Sequence, residues 1–108
     1  MASRDIVQRA LCKKLGSNYQ ICNIDMEQVI YRDFGNGFNV EISGTYTTSE
    51  KKPAIIYLWF GSHFVIRVAR DVPRDKIGEK VEELLTYSND LIKLGYNDRD
   101  SLWKLLNQ

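Results

Sequence analysis

The sequence predicts an α+β fold of two layers: an N-terminal helix, a four-stranded antiparallel β-meander, then a long C-terminal helix and a short one. Three observations lead there. Apolar residues recur at helical spacing over 3–15 and 71–95, whereas over 38–47 they alternate with polar ones. The strand-like segments follow one another with no helical segment between them, which is the order of a meander and not of βαβ units. Turn-forming residues fall at the joints: Gly16, the Gly35-Asn36-Gly37 run, Gly61-Ser62 and Gly95. A length of 108 residues corresponds to one domain spanning 1–108. A domain of that size buries roughly 60–70% of the surface of its unfolded chain, enough for one core without staples.

In the first helix, 3–15, Ser3 serves as N-cap and Gly16 as terminator. Ile6, Val7, Ala10, Leu11 and Leu15 form its apolar stripe, with Gln8, Arg9 and Lys13 facing away. Residues 18–25, NYQICNID, fit either an extended lead-in or a short edge strand. Residues 27–34 read as a strand, and Asn-Gly within 35–37 favours a tight hairpin. Over 38–47, Phe38, Val40, Ile42 and Tyr46 point to one face, and Asn39, Glu41, Ser43 and Thr45 to the other. A polar loop, 48–53, ends at Pro53. Strands at 54–60 and 63–69 follow. The helix over 71–95 places Pro73 in its first turn, where a missing N–H costs nothing. Its inward stripe is Ile77, Val81, Leu84, Leu85, Ser88, Leu91 and Ile92. A second helix, 98–106, is capped by Asp98 and carries Leu102, Trp103, Leu105 and Leu106.

The stretch AIIYLWFGSHFVIRVA, 54–69, sets the main question. Gly61 at the first turn position suits a two-residue type II′ hairpin. That register puts Phe60 opposite His63, Trp59 opposite Phe64 and Leu58 opposite Val65. One face then carries Ile55, Tyr57, Trp59, Phe64, Ile66 and Val68, apolar throughout, and is expected to pack against the helices. The other carries Ile56, Leu58, Phe60, His63, Val65 and Arg67. Large apolar residues on an outward face leave two arrangements open. The C-terminal residues Leu102, Trp103 and Leu106 fold over it, or it is an exposed patch that binds a partner.

Composition excludes several function classes. The formal net charge is +1, so there is no global attraction to nucleic acid. Locally, 1–16 has four bases and one acid, 17–50 one base and five acids, and 51–70 four bases and no acid. No apolar run reaches membrane-spanning length, and charges interrupt the N-terminal pattern, which argues against a signal peptide and for the cytoplasm. Cys12 and Cys22 are then expected as thiols.

The chain offers too few ligands for zinc: Cys12, Cys22 and His63, joined by Asp25 or Asp33 only through coincidence. A Cys–His catalytic pair would need a helical or strand cysteine to reach a hairpin tip. Glu82 and Glu83 are adjacent in a helix and diverge, and the acids Asp33 and Glu41 flank a hairpin where solubility explains them. GNG lacks the spacing and the following helix of a phosphate loop. No catalytic set, cofactor site or metal site is expected.

The resulting expectation is a small, non-enzymatic intracellular module that binds another protein or its own copy. Ile56, Leu58, Phe60, His63, Val65 and Arg67 are its candidate contact residues. Small chains of this kind are common among bacterial, phage and mobile-element products, including inhibitors of host defence proteins, which is an analogy of size alone. The alternative is a nucleic-acid-binding domain. It would use Tyr57, Trp59 and Phe60 as stacking platforms beside Lys51, Lys52, Arg67, Arg70 and Arg74; near-zero net charge and the interrupting Asp71 and Asp75 weigh against it.

Overall fold

A computed structural model describes residues 3–108. Helix α1 (Arg4–Leu15) precedes strands β1 (Gln20–Ile24), β2 (Glu27–Asp33), β3 (Phe38–Ser43), β4 (Ala54–Phe60) and β5 (Phe64–Val72). A 3-10 turn (Arg74–Lys76) leads into α2 (Ile77–Lys93), and α3 (Arg99–Leu106) closes the order. The α+β, two-layer expectation holds. The sheet, however, is an antiparallel meander of five strands in sequential order, not four. The fifth is the segment that the sequence left open. Residues 20–24 pair with 27–31 across a two-residue turn, Asp25-Met26, in which both φ angles are positive (50° and 67°). That geometry is usually marked by Asn-Gly, and here no glycine marks it. The Asn-Gly pair at 36–37 instead sits in a longer turn closed by a Phe34 N–H to Phe38 carbonyl bond of 3.0 Å.

Strand β3 decides which side of the sheet is dry. Phe38, Val40 and Ile42 are fully buried. Their partners on β4 are Phe60, Leu58 and Ile56. Directly paired residues of antiparallel strands point to the same face, so Ile56, Leu58 and Phe60 face the helices. The sequence-based assignment of β4 is therefore inverted: Ile55, Tyr57 and Trp59 face outward. The hairpin register is shifted as well. Phe60 pairs with Phe64 and Trp59 with Val65, leaving Gly61, Ser62 and His63 as a three-residue turn with Gly61 at φ 65°. The neighbouring turn favours this longer loop: the Gly61 N–H donates to the Gly37 carbonyl at 3.0 Å, and Asn39 Nδ2 donates to the Gly61 carbonyl at 2.9 Å.

Two bulges correct the rest of β5. Between the Trp59–Val65 and Leu58–Arg67 pairs one extra residue, Ile66, enters the core at 7% exposure. A second irregularity between Ile56–Ala69 and Ala54–Val72 contains Asp71 at φ 54°. It extends β5 to Val72, so Asp71 belongs to a strand, and Pro73 precedes the 3-10 turn before the long helix.

All three helices lie on the face of Phe38, Val40 and Leu58. Leu11 of α1, Ile77, Val81, Leu84 and Leu91 of α2, and Leu102 of α3 join the core. Gln8, expected outward on α1, is fully buried. Its Nε2 donates to the Gln28 carbonyl and to Thr45 Oγ1, both at 3.0 Å, while Gln28 Nε2 donates to its Oε1 at 2.7 Å. Ile6, expected inward, is 58% exposed. Tyr46 lies beyond the end of β3 and is exposed. Among the described residues no helix is long and apolar enough to cross a membrane.

Helix α3 thus seals the core at the β5 edge: of the C-terminal residues expected to fold over the face of Ile56, Leu58 and Phe60, Leu102 does so, whereas Trp103 and Leu106 stay exposed. Leu102 is fully buried, and Trp103 lies 6.4 Å from the Phe64 ring. We expect Leu102→Ala to destabilise the fold by about 2–5 kcal/mol, and deletion of 97–108 to abolish a cooperative melt followed by circular dichroism. An unchanged melting temperature in the truncated chain would show that α3 is not part of the core.

Candidate functional site

Among the described residues no helix covers the outer face of the sheet, yet it is not flat. Val29 on β2 is fully buried there, and Glu41 and Ser43 on β3 are only 7% and 8% exposed. Burial without a covering layer comes from the side chains of adjacent paired strands, which stand close enough to shield one another. Two concavities result. The larger, about 780 Å³, runs from Ile24 and Asp25 at the β1–β2 turn, past Tyr31 and Asp33, to Trp59 and the His63 turn. The smaller, about 310 Å³, lies among Asp25, Glu27, Glu41, Tyr57, Trp59 and Val65. Every residue lining either one comes from strands β1–β5 or their turns.

Register accounts for the meeting of these side chains. Tyr31 pairs with Glu41, and Glu41 with Tyr57; Asp33 pairs with Asn39, and Asn39 with Trp59. The alternating pattern that dries Phe38, Val40 and Ile42 therefore pushes Asn39, Glu41 and Ser43 into a row between two aromatic strands. Within it, Trp59 Nε1 donates to Glu41 Oε1 at 3.2 Å. Glu27 Oε2 accepts from Ser43 Oγ at 2.6 Å and from the Gly44 N–H at 3.0 Å.

The electrostatics are one-sided. Four carboxylates, Asp25, Glu27, Asp33 and Glu41, line the concavities. The ion pairs among the described residues are Arg32–Glu82, Lys76–Glu79 and Lys80–Glu83, and none of them includes these four acids. Burial pushes the Glu41 carboxyl above the usual carboxylate range; the Trp59 hydrogen bond opposes that, and Glu27 and Asp25 add to it. Burial, and then the Glu41 charge, raise the Cys22 thiol. Burial also raises the Tyr31 hydroxyl, with Asp33 and Cys22 contributing.

The residues singled out from the sequence divide between the two faces. Ile56 and Leu58 are fully buried beneath the helices and offer no surface to a partner. Phe60 packs edge-on against Phe38, with ring centroids 5.1 Å apart. Arg67 lays its guanidinium over the Tyr87 ring of α2 at 3.9 Å, on the helix side. Only His63, exposed in the turn, and half-buried Val65 lie on the open side. The expectation of an accessible apolar surface at Ile56, Leu58 and Phe60 is corrected: the face has the opposite parity and carries Tyr31, Glu41, Tyr57 and Trp59, of which the sequence offers Tyr57 and Trp59 only as nucleic-acid stacking platforms and Tyr31 in no functional role. The polar parity of 39, 41 and 43 marks the outward face of β3, but which β4 residues share that face depends on the register across residues 44–53, which no local pattern sets.

Arg67 and Arg74, two of the basic residues proposed for nucleic-acid contact, lie away from these aromatics. Arg67 is on the helix side, and half-buried Arg74 lies near α1, beside Val7 and Leu11. Both cysteines are free. Among the described residues no group of three or more His, Cys, Asp or Glu side chains could hold a metal ion. No protein-family model, no curated protein and no solved structure matches the chain.

Because Glu41 is more basic folded than unfolded, the folded state binds the extra proton. Its contribution therefore becomes less favourable as pH rises from the unfolded carboxylate range through the raised folded value, and stays unfavourable above it. We expect Glu41→Gln, which keeps an acceptor for Trp59, to raise the melting temperature at pH 7. The gain should shrink as pH falls from the raised folded value through the unfolded carboxylate range, and vanish below it. A variant that melts lower than the parent at pH 7 would show the carboxylate to be stabilising.

Proposed function

We propose that the chain is a small, non-enzymatic binding module that acts by protein contact through the open face of its sheet, with another protein or a second copy as partner. The observation that carries this reading is the uncovered, concave face with half-buried Tyr31, Tyr57 and Trp59 around a buried carboxylate. Aromatic side chains in partly desolvated concavities are the residues that dominate protein interfaces. Their burial also means that little side-chain entropy remains to be lost on binding. The second reading, nucleic-acid binding, draws on Tyr57 and Trp59 as stacking platforms. It is disfavoured by the four carboxylates beside them, which repel phosphate.

A comparison of three immobilised proteins tests the reading: the parent, the Tyr57→Ala/Trp59→Ala double variant, and Lys93→Ala, at an exposed position near the end of α2. Each is checked by thermal melting and then offered a lysate of its native cell, with light scattering to detect self-association. The partner, or the second copy, should be retained by the parent and Lys93→Ala. It should be lost from the double variant, since truncating interface aromatics costs about 2 kcal/mol or more, roughly thirtyfold in Kd. Equal retention by all three would overturn the open face as contact surface. Affinity that falls log-linearly with salt and demands nucleic acid would favour the second reading.

A further inference from the structure

We infer that the open face takes a basic protein segment, seating a lysine or arginine side chain of that segment between the Trp59 ring and the carboxylates of Glu41 and Asp25. The inference rests on the reading of this face as a contact surface and specifies its occupant. Glu41 is the deciding residue. It is only 7% exposed, and one of its oxygens receives the Trp59 indole N–H. The other oxygen accepts no hydrogen bond from the protein and is open to solvent, since among the described residues the sealed side-chain atoms without a partner belong to Arg74, and no Lys or Arg lies within ion-pair distance of Glu41. Folding a carboxylate into such a place costs free energy unless a cation or further donors compensate it. The chain supplies no cation there, and it puts Asp25 and Glu27 beside Glu41.

The same concavity presents aromatic rings. Trp59 borders both hollows and Tyr57 the smaller one. Aromatic faces attract ammonium and guanidinium groups, most strongly where water is excluded. An aromatic wall with a buried acid is complementary to the apolar stem and charged head of Lys or Arg. The second acid of the larger hollow, Asp33, lies further along the face. Cationic residues spaced along an extended segment would thus meet successive carboxylates. The chain's net charge of +1 makes this local acidity a feature of one face and not of the whole surface.

The test is a titration of the full ¹⁵N-labelled chain with heptalysine, heptaglutamate and an oligo-dT of twelve nucleotides. The Trp59 indole N–H resonance, assigned with Trp59→Phe, is the reporter. Heptalysine should shift that resonance and the Asp25 and Glu41 amides saturably, and added salt should weaken the effect. Glu41→Gln should reduce affinity about tenfold or more, as expected when one member of a close interfacial charge pair is removed; a well-dispersed spectrum confirms that the variant folds. Asp25→Asn provides a second variant, with a smaller loss. No heptalysine shift at millimolar concentration, shifts confined to the helices, or equal affinity of Glu41→Gln would overturn the cationic occupant. Shifts of this face by heptaglutamate or oligo-dT alone would overturn it too, while leaving the face a contact surface. Failure of that parent reading would appear separately, as unimpaired partner capture by the Tyr57→Ala/Trp59→Ala variant.

Discussion

The pairing of β4 with β3 governs the rest of the molecule. Strand β4 is apolar on both sides, so it has no inside of its own. It acquires one from β3, whose Phe38, Val40 and Ile42 alternate with Asn39, Glu41 and Ser43. Once Phe38 meets Phe60 and Val40 meets Leu58, Tyr57 and Trp59 must face away from the helices. A slip of one residue would bury Trp59 and expose Leu58. The turn contacts between Gly37, Asn39 and Gly61 hold this register at its end. At Gly37 a side chain would meet the Phe60 ring 3.3 Å away, in a backbone conformation of φ 94° that favours glycine.

The core and the open face are coupled through these same turns. Asn36 Nδ2 donates to Ser88 Oγ at 3.0 Å and to Asn89 Oδ1 at 2.9 Å, and its Oδ1 accepts the Phe38 N–H at 3.0 Å. The long helix therefore anchors the turn from which β3 sets out, and β3 carries Glu41. On the helix side, Arg32 pairs with Glu82 at 3.2 Å and stacks near Tyr19 and Phe34. The sheet's two faces thus divide their charges. Glu79, Glu82 and Glu83 of the long helix have bases beside them, whereas Asp25, Glu27, Asp33 and Glu41 of the open face are in no ion pair.

Much of the architecture is legible in local sequence. The stripe Ile77, Val81, Leu84, Ser88 and Leu91 is buried as its spacing requires, Ser3 and Asp98 cap their helices, and the alternation in β3 appears with the expected parity at 38, 40 and 42. These features depend on side chains within one helix turn or one strand repeat, which is the range over which periodicity carries information. Strand β1 was ambiguous because its pattern does not alternate and its turn, Asp25-Met26, lacks glycine. Gln8 was misplaced because its burial depends on Gln28 and Thr45, which are distant in sequence.

Short-range patterns of apolar residues suffice for the helices, for strands β2 to β5, for the dry parity of β3 and for the inward stripe of the long helix, but they leave β1 open. The three-dimensional arrangement sets the pairing of β1 with β2, the facing of β4, the three-residue turn at Gly61–His63 and the burial of Glu41. A strand apolar on both sides takes its orientation from the backbone hydrogen bonds of its neighbours, and those partners are chosen across loops whose length and conformation no local pattern specifies.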